Sequence, residues 1–139
     1  MIFVAGENLI DSIAYKNSKN IFKTFVGGST LNTALALGRL SSNVYFFSRI
    51  SNDFFGKMIV DHLKKNNVNV NLSQRTNDQT TIAFVSNKKK PEFIFYSKDT
   101  AFKNMKSFIP LLMKSSISKN LKKQYQRNLS KMFTILHPS

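Results

Sequence analysis

The stretch "TFVGGSTLNTALALGRL", Thr24 to Leu40, places two of the chain's five glycines side by side, directly before a helix start with an asparagine in its first turn. A Gly-Gly pair frees φ and removes two Cβ atoms, so backbone there can come close to a ligand, and the amides of the helix start point outward as donors. Asn32 adds a donor and an acceptor, which suits a hydroxyl that must both give and take a hydrogen bond. That chemistry fits a polyol. On spacing alone, however, a tight turn before a capped helix is the stronger reading. The spacing matches neither a Walker loop nor a dinucleotide fingerprint. Ser29 or Thr30 is the expected cap, and Leu31, Ala34, Leu35 and Gly38 form one stripe, with Gly38 allowing close approach of a neighbour.

Working outward, "IFVAG" (Ile2 to Gly6) is a continuous apolar run ending in glycine, the pattern of a buried strand. "LIDSIAY" and "IFKTFV" flank the polar turn "KNSKN" and read as a hairpin projecting from the main sheet. "NVYFFSRI" (Asn43 to Ile50) returns as a strand, and Asn52 or Asp53 caps a second helix in which Phe55, Met58, Ile59, His62 and Leu63 share a face. This β-α-β-α alternation predicts an α/β fold with a largely parallel sheet covered by helices. Beyond a polar loop near "SQRTND", "TTIAFVSN" and "EFIFYS" straddle the turn "KKKP" as a second hairpin.

A length of 139 residues, 42% of them hydrophobic, allows one domain with a real core. The net charge of +14, from 21 basic and 7 acidic residues, invites polyanionic partners, yet an abundance of Lys, Asn, Ile, Phe and Ser fits A/T-rich coding equally well. We therefore expect no nucleic-acid and no membrane partner. All the acids precede position 100, whereas residues 103–139 carry eight basic residues, no acid and no glycine. In that tail Met113, Ile117, Leu121, Tyr125, Leu129 and Phe133 recur at intervals of four, which would fit a basic amphipathic helix, but an ending without acid or glycine reads first as replaced or out-of-frame sequence; a divergent linker and helix, or a basic helix that binds an anionic membrane, nucleic acid or an acidic partner, are the other readings.

The absence of cysteine excludes a disulfide framework, a thiolate zinc site and a Cys nucleophile. The opening residues lack a basic leader region and no segment reaches the ~18 apolar residues of a membrane span, so a cytoplasmic location is expected. Asp11, in the first hairpin, gains weight as a site residue only together with Gly27, Gly28 and Asn32. His62 is read as packing, His137 carries no functional weight, and Lys88 to Lys90 form a solvated turn. No metal-ligand spacing and no Ser-His-Asp order is present.

Taken in order, "GENLID" (Gly6 to Asp11), "VGGSTLNTALALGRL" (Val26 to Leu40), "SRISNDFFGKMIVDHL" (Ser48 to Leu63), "TTIAFV" (Thr80 to Val85) and "FIFYSKDTA" (Phe93 to Ala101) resemble the N-terminal part of the phosphofructokinase B, or ribokinase-like, carbohydrate kinases. Fructokinases and 2-keto-3-deoxygluconate kinases look closest. The resemblance implies an α/β sandwich with a small β lid, in which a sugar sits between lid and sheet and receives the γ-phosphoryl group of ATP. It implies that Asp11 binds sugar hydroxyls, that Gly27 and Gly28 bring backbone against the sugar, that Asn32 hydrogen-bonds it, and that Tyr96 walls the pocket. Sugar-acid kinases of the family usually place an arginine about two residues after this tyrosine; here Tyr96-Ser97-Lys98 follows, which favours a neutral hexose.

Family members run to about twice this length and carry a Gly-Ala-Gly-Asp segment that supplies the catalytic base and an anion hole. All five glycines here precede position 57, so the C-terminal half, the base and the nucleotide site are expected to be missing. The expectation is thus a partial kinase domain at residues 1–102 and a non-family tail at 103–139, with no catalytic residue of its own. ATP and Mg are expected for the full-length family and neither for this part. A small-molecule sugar is the expected partner, with homodimerisation through the lid a further possibility. The alternative is a non-catalytic module that binds a sugar or a partner subunit.

Overall fold

The structure, a computed structural model, describes residues 1–15, 20–41, 43–86 and 90–105. The centres of the turns "KNSKN" and "KKKP", the tail helix expected beyond residue 105 and His137 lie outside the described residues.

The apolar run at the start forms β1 (Ile2–Ala5), paired in parallel with β4 (Val44–Phe47), which pairs in parallel with β6 (Val68–Asn69). Two helices, α1 (Ser29–Arg39) and α2 (Phe54–Lys65), pack on this sheet. The core is their shared interface: Val4, Val44, Phe46 and Val68 from the strands meet Leu31, Ala34 and Leu35 of α1 and Ile59, Val60 and Leu63 of α2. The expected stripe on α1 is thus buried, including Gly38.

Three local expectations change. The N-cap of α1 is Gly28, not Ser29 or Thr30, because the first free amide is satisfied from outside the helix: the Glu7 carboxylate accepts from Ser29 N–H at 2.9 Å and from its hydroxyl at 2.7 Å. Asp53 caps α2 as expected, but its buried face is Gly56, Ile59, Val60 and Leu63, with Phe55, Met58 and His62 only half-buried. The helix lies close to the sheet on its smaller side chains, and the bulkier ones flank the contact. Finally, "NVYFFSRI" is two strands. After β4 the chain breaks at Ser48, and β5 (Arg49–Ser51) pairs in parallel with β7 (Gln74–Thr76), a strand inside the polar loop. Ser48 is buried at this break, and its hydroxyl is satisfied by donating to the Gly6 carbonyl at 2.6 Å and accepting from Asn8 Nδ2 at 2.7 Å.

Both expected hairpins form. β2 (Leu9–Ala14) pairs antiparallel with β3 (Phe22–Gly27), and β8 (Ile82–Val85) with β9 (Phe93–Tyr96). They join through a parallel β2·β8 pair into one four-stranded sheet of order β3-β2-β8-β9, which we call the lid. Partners in register share a face. One face carries Ile10, Val26 and Ile82, which root it in the core, and then an aromatic row in which Phe84 meets Phe22 at 5.3 Å and Tyr96 at 5.6 Å, edge to face. The other carries Asp11, Ala83 and Phe95, paired across three strands.

Candidate functional site

The candidate site lies where β3 of the lid runs into α1. Gly27 ends β3 opposite Leu9, so its Cα faces the side chain of Asp11, one pleat further along β2. A Cβ at Gly27 would collide with Asp11 Oδ2, and only glycine lets the carboxylate lie over this backbone. Gly28 follows with φ of 113°, a conformation that L side chains rarely adopt, and a Cβ there would stand 3.1 Å from the Glu7 carbonyl oxygen. The glycine pair therefore does two different jobs: the first makes room for a carboxylate and the second turns the chain into the helix.

Asp11 is half-buried and accepts no hydrogen bond among the described residues. Burial pushes its carboxyl above the ordinary carboxylate value, and the like charge of Glu7 pushes it the same way. Glu7 differs in that its Oε1 accepts both the N–H and the hydroxyl of Ser29. Asn32, in the first turn of α1, gives its backbone N–H to the Gly28 carbonyl at 2.9 Å and leaves its side chain exposed. The arrangement offers an unpaired carboxylate, an exposed carboxamide and the first turn of a helix to a ligand rich in hydroxyl groups.

An anion fits poorly. The Glu7 carboxylate already occupies the start of α1, and Asp11 adds a second negative charge beside it, so a triphosphate would meet repulsion rather than a cradle. Among the described residues no group of three His, Cys, Asp or Glu could hold a metal ion. The pair of carboxylates at this turn therefore disfavours a polyphosphate there. Among the same residues no helix is long and apolar enough to cross a membrane.

Of the expected site residues, the structure lays Asp11 of β2 over Gly27 at the end of β3, with Gly28 next in the chain and Asn32 in the helix that follows. Tyr96 stands apart. It pairs with Ile82 on the opposite face of the lid and packs on Phe84, so it does not share a face with Asp11. Phe95, which the sequence reading passed over, is in the row of Asp11 and Ala83. The alternation within "EFIFYS" was the available signal, but it leaves undecided which parity faces Asp11. Within "GENLID", Glu7 satisfies the start of α1 and Asn8 anchors β2, roles that depend on residues distant in the chain.

Four likenesses to known proteins bear on this geometry. The pfkB family carbohydrate kinase pattern matches residues 1–131, and so takes in most of the segment whose composition changes after residue 102. A fructokinase of Rhizobium leguminosarum bv. trifolii is 36% identical over 104 residues, covering 73% of this chain and 32% of that protein. A probable fructokinase-5 of Arabidopsis thaliana is 34% identical over 132 residues, covering 89% of this chain and 39% of its own length. Among solved structures, the fructokinase of Xylella fastidiosa with bound ATP superposes with a TM-score of 0.70 at 30% identity, over 76% of this chain and 35% of that one. The chain thus spans about a third of the length of the relatives it matches.

Proposed function

The chain belongs to the pfkB carbohydrate kinases, with part of their ribokinase-like fold, and from that premise we propose that it forms the sugar-binding and lid portion of a fructokinase-like enzyme. The observation that carries this reading is the half-buried Asp11 carboxylate, without a hydrogen-bond partner among the described residues and lying over Gly27 where a side chain would exclude it. A carboxylate that loses solvent without gaining a donor is destabilised, and sugar hydroxyls are donors that restore what it lacks. Asn32 supplies the complementary exchange, giving to one hydroxyl oxygen and taking from another hydrogen. The polar face of Asp11, with the apolar Phe95 in its row, matches a hexose ring, which presents hydroxyls at its edge and C–H groups on its face.

A neutral hexose is the substrate class favoured here, since two carboxylates, Glu7 and Asp11, flank the turn and disfavour a sugar acid. In the phosphoryl transfer of the whole enzyme these residues would bind and orient the acceptor sugar. This chain alone should bind fructose without consuming ATP, because all five of its glycines precede position 57 and it contains no Gly-Ala-Gly-Asp segment to supply the base and anion hole.

Calorimetric titration of the purified chain with fructose tests the reading. We expect saturable binding that Asn32→Ala weakens roughly tenfold, the effect of about one lost hydrogen bond to a ligand. A folded chain that ignores fructose would overturn it. Fructose-dependent ATP consumption abolished by Asn32→Ala would instead overturn the non-catalytic part alone.

A further inference from the structure

We propose that Asp53 is a positioning residue for the lid: its carboxylate, shared between the start of α2 and Thr80 at the root of β8, fixes how the four-stranded sheet presents Asp11 to α1. Asp53 Oδ1 accepts from Gly56 N–H at 2.7 Å, which is the ordinary work of a helix N-cap. The same atom also accepts from the Thr80 hydroxyl at 2.7 Å, and Oδ2 accepts from Thr80 N–H at 2.8 Å. Capping uses one acceptor. The remaining bonds serve another element, and three donors converging on one side chain require a carboxylate, since an amide offers one oxygen and turns donors toward the rest.

Thr80 is buried, and it stands where a tether acts on the whole second hairpin. Its neighbour Thr81 shares a 2.7 Å hydroxyl bond with Thr100, whose hydroxyl reaches the Ser97 carbonyl at 2.9 Å. Ala101 N–H donates to the Gln79 carbonyl at 2.8 Å. The chain entering β8 and the chain leaving β9 are therefore joined beneath the lid and held to α2 through Asp53. From this root β8 runs beside β2, setting Ala83 against Asp11. The root of β2 has its own anchor, because Asn8 Nδ2 donates to Ser48 Oγ at 2.7 Å and to the Arg49 carbonyl at 3.1 Å. The two inner strands of the lid are thus fastened separately, β2 at the Ser48–Arg49 break and β8 at the start of α2.

The functional half of this inference rests on the sugar-binding reading above; the structural half does not. Amide hydrogen exchange of the 139-residue chain separates them. Asp53→Asn retains an N-cap side chain but sets an N–H₂ group against the donors of Thr80. We expect α2 amides to change little, while those of Leu9–Ala14 and Ile82–Val85 exchange roughly tenfold faster. Fructose affinity should fall in parallel. Thr80→Val, which leaves the cap untouched, should accelerate the same lid amides by a smaller factor, and Thr80→Ser should restore them. Acceleration spread equally over core and lid, or confined to α2, would overturn the proposal, as would lid amides that do not respond. If Asp53→Asn does not fold, the Thr80→Val and Thr80→Ser pair decides by the same criterion. A wild-type chain that fails to bind fructose would remove the sugar-binding reading and leave the lid tether to be judged by exchange alone.

Discussion

Asp11 shows how much one position can say. Its carboxyl is held above the ordinary carboxylate value by burial and then by Glu7, with no hydrogen bond among the described residues to compensate. A folded-state value above the unfolded one means that the favourable contribution is complete below the unfolded carboxyl's pKa, about 3.9, and is lost as pH rises through the folded value. Asp11→Asn should therefore match the wild type in acid and gain stability relative to it as pH rises toward neutrality, a trend that denaturant melts across that range will read. The same substitution should weaken fructose binding at neutral pH by roughly tenfold or more, because charge-assisted hydrogen bonds are the stronger kind. Stability and binding then move in opposite directions, as expected at a functional residue. That Asp11 would lie near Gly27, Gly28 and Asn32 was legible in the sequence because the hairpin and the helix start that carry them are local elements. The placement of Tyr96 was not. Its face depends on two ladders, Asp11 to Ala83 and Ala83 to Phe95, and a one-residue slip in either would reverse it.

Among the elements, α2 separates pattern from packing. Period alone put His62 and Leu63 on one face, whereas Leu63 is fully buried and His62 lies at the margin. Leu63→Ala should cost about 2–5 kcal/mol and His62→Ala under about 1 kcal/mol in chemical denaturation, the contrast between a core cavity and a boundary trim. The helix start also responds to acid. Burial alone would raise the Asp53 carboxyl, but bonds from Gly56, Thr80 and Ser51 outweigh it and hold the group below its ordinary value. Its stabilisation is therefore present above the unfolded carboxyl's pKa and disappears as pH falls through the folded one. Strands, hairpins and both helices could be read from periodicity, since each is a local repeat of apolar residues. The parting of "NVYFFSRI" could not, because it depends on Ser48 finding Gly6 and Asn8 far along the chain. For the same reason Ser29, a good cap by type, yields to Glu7.

At the scale of the molecule, the lid is the unusual surface. Phe25, Phe93, Phe95 and Tyr96 are each at least 50% exposed, on both faces of one sheet. Exposed apolar area of this kind favours covering by a second copy, while a net charge of +14 opposes it. Salt screens the charge and leaves the apolar term, so self-association measured by sedimentation should increase with ionic strength and fall when Phe93 and Phe95 are replaced by Ser. Composition indicated a single core, and the alternation of elements indicated its layers. That two distant hairpins share one sheet was invisible, because parallel pairing of β2 with β8 leaves no local mark. This split origin sets an order of events. The first hairpin leaves a ribosome long before the second, and Ile10 must wait for Ile82 while β4, α2 and β6 are made between them. Pairing across so long an interval is slow, so the lid should be the last part to gain protection during folding, and Phe22 and Phe25 should stay open to chaperones until β8 arrives.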